Sequence, residues 1–586
     1  MMIRIHQVHG SVIPADQRRL TEAQSIFREH FQAVADYADT FPDHLDHPFK
    51  YGYRSILLVC EGAMGRVKGF SLFLIFPEIN SALLDFMAVR QGTRGGGVGG
   101  ALYEATREYC RRARLRGLYM EVLPDDPALV KDPRILDENR KRLAFYSHYG
   151  VNPIVGTEYE TPIGPDPAPY LLFDSLDRTA PLRRSEARAA VRIVLTRKYS
   201  AIVAPDYIER VVESFVDDPV RFRAARSALQ RDSKAVSSRT GHLSQPFTYV
   251  VGDGHAEHHV RDIGYVERPA RVDTLKAALA RMPFFDRTVP SHFGETPVRA
   301  VHDPDFVSYL KRVCTRLEGD RPVYPYVFPI RRPERKPREL AVRAGYYCID
   351  TFTPLDRHAY SAARGAVDVA LTAARELSEN GRRVAFALCR PPGHHAERRV
   401  FGGFCYFNNI AIAAHDLARF GRVAILDIDF HHGNGTQDIF YRRSDVLTVS
   451  IHGHPNTAYP YFSGFADERG EGPGLGFNRN FPLPENSDDA VYLQTLDRAL
   501  AILQRFRPMF VAISLGLDIM RGDPTGSFTL AAPTMRDIAR KLGLLNVPLL
   551  VVLEGGYNLR NLRRGVTAFF SGLAETIENN RCHPME

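Results

Sequence analysis

The chain lacks the sequence features that mark secreted and membrane-spanning proteins. Its seven cysteines are odd in number and no two of them form a C-x-x-C pair, so we expect no disulfide framework. No eighteen apolar residues run together, and the first six residues lack a long apolar core, so neither a membrane span nor a signal peptide is indicated. We therefore expect a cytoplasmic protein with no membrane partner.

Nucleic acid is not expected as a partner either. The formal net charge is +8, from 76 Lys and Arg against 68 Asp and Glu, but the excess is diffuse. No basic cluster is interleaved with aromatic residues, which is the pattern that nucleic-acid binding favours. We interpret most of this charge as solvated surface.

A pair of polar residues follows an apolar strand in the segment LDIDFHHGNG (426–435). Residues i and i+2 of a strand point to the same face, so Asp429 and His431 are predicted to converge on one cation. A second apolar strand, VAISLGL (511–517), brings Asp518 to its carboxyl end, where parallel sheets place their active sites. A catalytic zinc ion takes three such ligands and keeps an open position. Taken alone, the spacing also fits solvated polar residues at a strand end.

Three further segments carry residue types used in catalysis: RPPGHH (390–395), GGFCYFNN (402–409) and LEGGY (553–557). Together with the Asp-x-His strand, they resemble the arginase-like histone deacetylase and acetylpolyamine amidohydrolase family. The resemblance runs from about residue 252 to about residue 575, with the catalytic motifs in order.

Other segments are similar to the bacterial acetylpolyamine amidohydrolases within that family. They are YPYFSGFADE (459–468), GDPTGSF (522–528) and RAGYYCID (343–350). Three acidic residues of these segments, Asp350, Asp467 and Glu468, are candidates for attracting the ammonium groups of a polyamine near the mouth of the site. His454 departs from the pattern, because an acidic residue is expected there. The departure bears on substrate recognition at the rim of the site and leaves the chemistry unaffected.

The resemblance implies two cations. A zinc ion would be held by Asp429, His431 and Asp518. A structural potassium ion would lie near Asp427, Asp429, His431 and Ser450, an expectation that rests on the family and not on spacing.

The resemblance also implies roles in proton transfer. His395 would be the general base for the attacking water, with His394 as a neighbouring electrostatic partner. Their outer nitrogens would be oriented by Asn434 and Asp427 respectively, which fixes tautomer and basicity. Asn434 stands where other family members carry Asp. Tyr557 would donate its hydroxyl to the oxyanion that forms when the amide carbonyl is attacked.

A narrow substrate tunnel is implied beside these residues. Gly403, Phe404 and Tyr459 would line it and hold the aliphatic stem of the substrate. Without the motif context, Phe404 and Tyr459 read equally well as two core aromatics.

A second set of motifs lies near the N-terminus. The strand LLDFMAV (83–89) precedes the glycine-rich turn RQGTRGGGVGG (90–100) and a predicted helix over about 101–115. Such a turn lets backbone N–H groups and a helix N-terminus approach a pyrophosphate. The pattern resembles the acetyl-CoA loop of GNAT acetyltransferases, which implies acetyl-CoA as a cofactor. The candidate cofactor-binding residues are Arg94, Gly95, Gly97 and Gly99.

Two further residues are candidates in this part of the chain. The segment LAFYSHYG (143–150) resembles the GNAT helix whose tyrosine protonates the departing thiolate, and Tyr146 is assigned that role. Glu121, on the following strand, is a candidate base, although a single acid on a strand is more often structural.

These patterns predict a GNAT-like α+β domain over 1–175, a helical connector over 176–250 with a polar, flexible boundary at 233–246, and a zinc deacetylase domain over 251–586. The last is expected to be α/β, an arginase/deacetylase-like parallel sheet wrapped by helices. The length also favours more than one core. The strands predicted for this sheet are 384–388, 423–426, 446–451, 510–514 and 549–553.

The implied function is a deacetylase acting on a small cationic acetylated amine, most directly an acetylpolyamine. An acetyl-lysine protein deacetylase stays open as an alternative, because both substrates present the same four- or five-carbon stem. The GNAT-like half is interpreted either as an acetyltransferase or as a catalytically silent sensor of acetyl-CoA or polyamine. A homodimer is expected from the family.

Overall fold

The structure is a computed structural model of the chain. It describes residues 3–48, 50–62, 65–91, 97–147, 149–160, 168–178, 180–199, 202–223, 245–262, 264–319 and 322–582. The chain divides into two compact units, one formed by residues 2–94 and 98–238 and the other mainly by residues 239–586. Among the described residues, no helix is long and apolar enough to cross a membrane.

The N-terminal unit is built on a six-stranded mixed sheet in the order β1-β2-β3-β4-β5-β6. Its strands are β1 (Ile3–Val8), β2 (Arg54–Gly62), β3 (Val67–Phe76), β4 (Ser81–Val89), β5 (Leu118–Val122) and β6 (Tyr170–Asp174). Only β4 and β5 run parallel, and they pair over just three residues of each strand. The helices are Pro14–His30, Phe41–Asp46, Val98–Arg112, Pro133–Ser147, Arg184–Lys198 and Pro205–Glu213. The GNAT-type α+β fold is confirmed.

The residues expected to connect the domains belong to both units. Val191 and Leu195 of helix Arg184–Lys198, with Val211 of helix Pro205–Glu213, are buried in the same apolar cluster as Tyr119 of β5. The end of the connector, 247–250, forms a strand of the second sheet. Residues 233–246, predicted as a flexible boundary, fall almost entirely outside the described residues.

The C-terminal unit contains an eight-stranded sheet in the order β12-β11-β10-β13-β14-β9-β7-β8. Every neighbouring pair is parallel. The strands are β7 (Phe247–Val250), β8 (Phe285–Thr288), β9 (Val384–Ala387), β10 (Val423–Asp427), β11 (Val446–Gly453), β12 (Asn478–Leu483), β13 (Phe510–Leu515) and β14 (Leu549–Leu553). The helices are Ala270–Leu279, Thr296–Val301, Pro304–Arg316, Leu340–Tyr347, Ala359–Ser378, Asn409–Leu417, Asn434–Phe440, Asp489–Phe506, Ala532–Gly543 and Leu559–Cys582.

Apolar residues alternate between the two faces of this sheet. On β10, Ala424 and Leu426 join the apolar cluster on one face, and Val423 and Ile425 join the cluster on the other. Both faces are covered by helices, which explains why the central strands read as continuous apolar runs. The predicted α/β class is confirmed, and the carboxyl ends of β9, β10, β13 and β14 lie side by side at the centre of one edge.

Candidate active site

Three predicted metal ligands meet at this edge. One ligand atom from each of Asp429, His431 and Asp518 lies within 4.8 Å of the other two. Nδ1 of His431 is 3.3 Å from Oδ1 of Asp429 and 3.1 Å from Oδ2 of Asp518. Both carboxylates are fully buried. The structure thus brings together the set that the sequence predicted.

The reason for this convergence differs from the predicted one. β10 ends at Asp427, so Asp429 and His431 lie in the loop beyond it and not on alternating positions of a strand. The loop is held by carboxylates that accept backbone N–H groups: Oδ1 of Asp429 accepts from His431 at 2.9 Å, and Oδ1 of Asp518 accepts from Phe430 at 3.0 Å. These bonds hold the loop against Asp518 and keep the three side chains together.

A glycine leaves room around the carboxylates. A Cβ atom on Gly555 would lie 2.5 Å from Oδ2 of both Asp429 and Asp518, closer than non-bonded atoms approach. Only a glycine fits there, and its N–H donates to Oδ2 of Asp429 at 2.7 Å. Two buried carboxylates and one imidazole nitrogen, with a side-chain-free turn beside them, fit a zinc ion with three protein ligands.

The charges at this cluster also favour a cation. Burial opposes ionisation of Asp429, yet the neighbouring His394 and His431 hold its pKa well below the ordinary range. Burial and the charge of Asp429 raise the pKa of Asp518 to about 7. Two carboxylates so close in a buried site repel each other, and a divalent cation would relieve that repulsion.

The two histidines of RPPGHH lie beside the candidate metal ligands and have different partners. Nδ1 of His394 is 3.0 Å from Oδ2 of Asp427, and Nδ1 of His395 is 2.8 Å from Oδ1 of Asn434. Burial disfavours the charged form of His394, but Asp427 and Asp429 raise its pKa to about 10. Burial and the nearby His394 lower the pKa of His395 well below its ordinary value. Of this pair, His395 is the neutral ring that can accept a proton.

Tyr557 is held through both its backbone and its ring. Its N–H donates to Oδ2 of Asp523 at 2.7 Å, and the guanidinium of Arg271 lies 4.7 Å from its ring centroid. Arg271 also donates to the backbone oxygens of Gly556 and Glu554. Burial raises the pKa of Tyr557 well above its ordinary value, so the hydroxyl keeps its proton as a donor.

Sequence reasoning missed the groups that support this turn. Glu267 pairs with the buried Arg271 and Arg390, and Oε2 of Glu554 accepts the N–H groups of Gly393 and His394 at 2.6 and 3.1 Å. The charged residues of RPPGHH and LEGGY were a signal, because an Arg and a Glu buried at a strand end require partners.

The predicted tunnel residues form one aromatic wall. The rings of Phe404 and Tyr459 both contact Phe352, with centroids 5.5 and 5.6 Å from it, and Phe404 also contacts Tyr557 at 5.7 Å. Gly403 has φ +57°, and a Cβ there would lie 2.2 Å from a ring carbon of His395. Phe352, which sequence reasoning missed, joins the two predicted aromatics.

One acidic residue of the RAGYYCID segment is not available to a substrate. Asp350 was a candidate for attracting ammonium groups at the mouth, but it is only 6% exposed. Its Oδ2 accepts the N–H of Gly403 at 2.6 Å and the hydroxyl of Tyr459 at 3.1 Å. Glu468 is likewise engaged by Gln437 and by the N–H of Gly464. These carboxylates hold the wall together, and among the three acidic candidates only Asp467 is exposed.

The N-terminal candidates are placed in part. Arg94 and Gly95 lie outside the described residues, whereas Gly97 is described with φ +69° and Gly99 lies in the first turn of helix Val98–Arg112. Tyr146 is buried, and its ring contacts Tyr103 with centroids 5.2 Å apart.

Glu121 is tied into a buried cluster where β4 and β5 stop pairing. It accepts the hydroxyls of Tyr159 and Tyr199 at 2.7 and 2.5 Å, and lies 3.3 Å from Nζ of Lys198. Lys198 also pairs with Asp85 at 2.6 Å. Burial opposes ionisation of Glu121, but Lys198 holds its pKa below the ordinary value. A carboxylate in this state is a weak base.

Two family models match the chain. The model for the histone deacetylase domain matches residues 265–573, and the model for the acetyltransferase (GNAT) family matches residues 20–131. The first contains every candidate residue of the C-terminal site. The second contains the glycine-rich turn and ends before Tyr146.

Several relatives are similar over the C-terminal domain. Acetylpolyamine amidohydrolase 2 of Pseudomonas aeruginosa is 40% identical over 328 residues, which is 53% of this chain and 94% of the relative. Histone deacetylase 15 of Arabidopsis thaliana is 32% identical over 335 residues, 56% of each chain. A crystal structure of an acetylpolyamine aminohydrolase from Burkholderia pseudomallei matches with a TM-score of 0.53 and 37% identity, covering 57% of this chain and 99% of that one.

Proposed function

This chain belongs to the histone deacetylase family, and from that premise we propose that its C-terminal domain is a zinc-dependent amidohydrolase that removes acetyl groups from cationic amines, foremost acetylpolyamines. The observation that carries the proposal is the meeting of Asp429, His431 and Asp518 within 4.8 Å, next to a histidine pair with unlike partners. A metal cluster and a neutral base side by side are the parts that amide hydrolysis requires.

The proposed chemistry divides the work among these residues. Asp429, His431 and Asp518 would hold a zinc ion, which when bound supplies Lewis acidity toward the amide and its attacking water. His395 takes a proton from the water as the water oxygen bonds to the amide carbon. Tyr557 donates its hydroxyl to the carbonyl oxygen as negative charge develops there.

The amide bond then breaks. The proton taken up by His395 passes to the leaving nitrogen, so that the products are acetate and a free amine. His394, held as a cation by Asp427, stabilises the negative charge that accumulates near it. The aromatic wall of Phe404, Phe352 and Tyr459 would flank the aliphatic stem of the amine.

Two arguments support a polyamine over a protein substrate. Relatives at about 40% identity that are covered over 90% or more of their length are named acetylpolyamine amidohydrolases. The exposed Asp467 lies in the same loop as Tyr459 and can attract a distal ammonium group, a contribution of about 1 kcal/mol or less. The acetyl-lysine protein deacetylase is the alternative that the experiment below decides.

We predict a higher kcat/KM for acetylputrescine, acetylcadaverine or acetylspermidine than for an acetyl-lysine peptide. The preference should weaken as salt is added, because exposed charges are screened beyond about 10 Å at 0.1 M salt. N-acetylbutylamine is the matched control, since it has the chain length of acetylputrescine without the ammonium. Acetate release, measured for each substrate at two salt concentrations, gives the answer.

Two outcomes would reverse the substrate assignment. One is a peptide hydrolysed tenfold faster than every acetylpolyamine, which would favour the protein deacetylase. The other is an equal kcat/KM for acetylputrescine and N-acetylbutylamine, which would remove the role of the distal charge.

For the N-terminal domain we propose binding of acetyl-CoA, with sensing favoured over transfer. The glycine-rich turn between β4 and helix Val98–Arg112 supports the binding of a pyrophosphate. The engagement of Glu121 by Lys198, Tyr159 and Tyr199 favours a silent sensor, because an acetyltransferase needs a base to deprotonate its amine substrate.

Replacing Gly97 by Val should abolish acetyl-CoA binding, as measured by calorimetry. Its φ of +69° lies in the left-handed region, which a β-branched residue avoids, so the turn could not keep its shape. The metal-site variant Asp518→Ala is the control and should bind acetyl-CoA normally. Unchanged affinity in the Gly97→Val protein would exclude this turn as the binding site.

A further inference from the structure

A carboxylate lies directly behind the residue that orients the general base. Oδ1 of Asn434 faces Nδ1 of His395 at 2.8 Å, and Nδ2 of Asn434 donates to Oε1 of Glu397 at 2.7 Å. The same Nδ2 also donates to the backbone oxygen of His395 at 3.2 Å. These two acceptors fix which way the amide points, so the carboxylate and the imidazole lie on opposite ends of one side chain.

Glu397 is anchored through its backbone. Its N–H donates to the oxygen of Val400 at 2.9 Å, and its own oxygen accepts from Nδ1 of His302 at 2.9 Å. Nε2 of His302 in turn accepts the N–H of Asn408 at 2.9 Å, so His302 is the neutral Nδ1–H tautomer. Burial lowers the pKa of His302 to about 4, and this ring therefore brings no charge to Glu397.

The charged groups around Glu397 leave its protonation sensitive to pH. Burial raises its pKa to about 7, against the opposing effect of the bond from Asn434, and Asp438 adds a like charge. Asp438, on helix Asn434–Phe440, accepts the backbone N–H of Arg398 at 2.9 Å. The Glu397 carboxyl thus changes charge in the neutral range.

We propose that Glu397 is a positioning residue that supplies negative charge to His395 across the amide of Asn434. The inference rests on the proposed deacetylase function, in which His395 accepts the proton. Where the family pattern has an aspartate in direct contact with the general base, this chain has the amide of Asn434, and the carboxylate of Glu397 lies behind that amide.

The physical effect follows from the order of the three groups. When Glu397 is ionised, it accepts an N–H of the Asn434 amide and leaves Oδ1 of Asn434 turned toward His395. Its charge also stabilises the imidazolium that forms on proton uptake, because it acts through the buried side chain of Asn434, where the dielectric is lower than in water. When Glu397 is protonated, the orientation persists and the charge is lost, so proton transfer becomes less favourable.

The test is the pH dependence of kcat for acetylputrescine. For the native protein we expect kcat to rise as pH increases through about 7, where Glu397 ionises. Glu397→Gln keeps an acceptor for the hydrogen bond from the Asn434 amide and removes the charge, so this rise in kcat should disappear. Above pH 8, kcat should fall about five- to tenfold, with KM and zinc content unchanged. Asp438→Asn is the matched control. It removes the negative charge that raises the pKa of Glu397, so kcat should rise at a lower pH and reach the same maximum as in the native protein.

A double variant separates charge from structure. Asn434→Asp places a carboxylate against His395 but also against Glu397, and like charges at this distance cannot both ionise. In that background Glu397→Gln should raise kcat, whereas in the native background it lowers kcat. A change of the same sign in both backgrounds would overturn the inference.

The possible failures are distinguishable. If the native protein hydrolyses acetylputrescine and Glu397→Gln keeps the native pH profile, the positioning role alone is overturned. If the native protein hydrolyses no acetylated amine, the proposed function falls and the positioning role with it.

Discussion

The Asp518→Asn protein is expected to lose its zinc and to release acetate from acetylputrescine at least about a thousandfold more slowly than the native protein. The amide keeps an oxygen for the N–H of Phe430, which Oδ1 of Asp518 accepts at 3.0 Å, so the loop after β10 should hold its shape. The substitution replaces one of the two negatively charged groups among Asp429, His431 and Asp518 by a neutral amide. Elemental analysis measures the loss of zinc, and the acetate assay measures the loss of activity independently.

Asp467→Asn is the matched control for this variant. Asp467 is an exposed carboxylate outside the metal cluster, so its replacement should leave the zinc content native. Because a ligand that binds only the folded state stabilises it, the control should also keep the rise in melting temperature on zinc addition that Asp518→Asn loses. Full zinc content and activity in the Asp518→Asn protein would refute the ligand assignment.

The Tyr557→Phe protein is expected to keep its zinc and to lose about two to three orders of magnitude in kcat, because one oxyanion donor is deleted. The ring remains, with its contacts to Phe404 and to the guanidinium of Arg271. Loss of activity without loss of metal or packing would therefore be chemical in origin. Rates measured on acetylputrescine under single-turnover conditions isolate this step.

A second variant separates the effect of losing the Tyr557 hydroxyl from the effect of displacing the turn that carries Tyr557. In Asp523→Asn the acceptor of the Tyr557 and Asn558 N–H groups, at 2.7 and 3.0 Å, becomes neutral while the hydroxyl stays. We expect a smaller loss of kcat than in Tyr557→Phe. Near-native turnover by Tyr557→Phe with unchanged zinc would remove this hydroxyl from the mechanism.

Much of the second sheet could be predicted from local sequence. The central strands β10, β13 and β14 are apolar on both faces, and their predicted bounds match the structure within one residue. β7, β8 and β12 were missed, and β7 was placed in the connector. β12 reads NRNFPL, and β8 has two exposed residues, so neither has the apolar run that predicts a buried strand. Their strand structure depends on pairing with neighbours.

In the candidate site, too, some residues could be predicted from the sequence and others could not. Asp429, His431 and Asp518 stand at strand ends in recognisable patterns, and the structure brings them together. Among the supporting residues, Glu267 and Arg271 stand in no recognisable motif. Arg271 reaches the backbone of Gly556 from 285 residues away, and only the folded chain reveals the pair.

Asp350 shows how burial changes the reading of a residue. Because it ends a segment that resembles the acetylpolyamine amidohydrolases, Asp350 was predicted to be an acid near the mouth of the site that attracts ammonium groups. In the structure it is buried and accepts from Gly403, Thr353 and Tyr459, because the backbone of a tight aromatic wall needs acceptors. The sequence alone does not distinguish a carboxylate that attracts substrate from one that satisfies the backbone.

Zinc titration of the metal-free protein would show whether the hydrolysis depends on a metal ion held by Asp429, His431 and Asp518. The chain, stripped by a chelator and dialysed, would be titrated with zinc while acetate release from acetylputrescine is followed. We predict no release without metal, and a rise that saturates at about one zinc per chain. Acetate released at the full rate by the metal-free protein, or a rate indifferent to added zinc, would contradict the account.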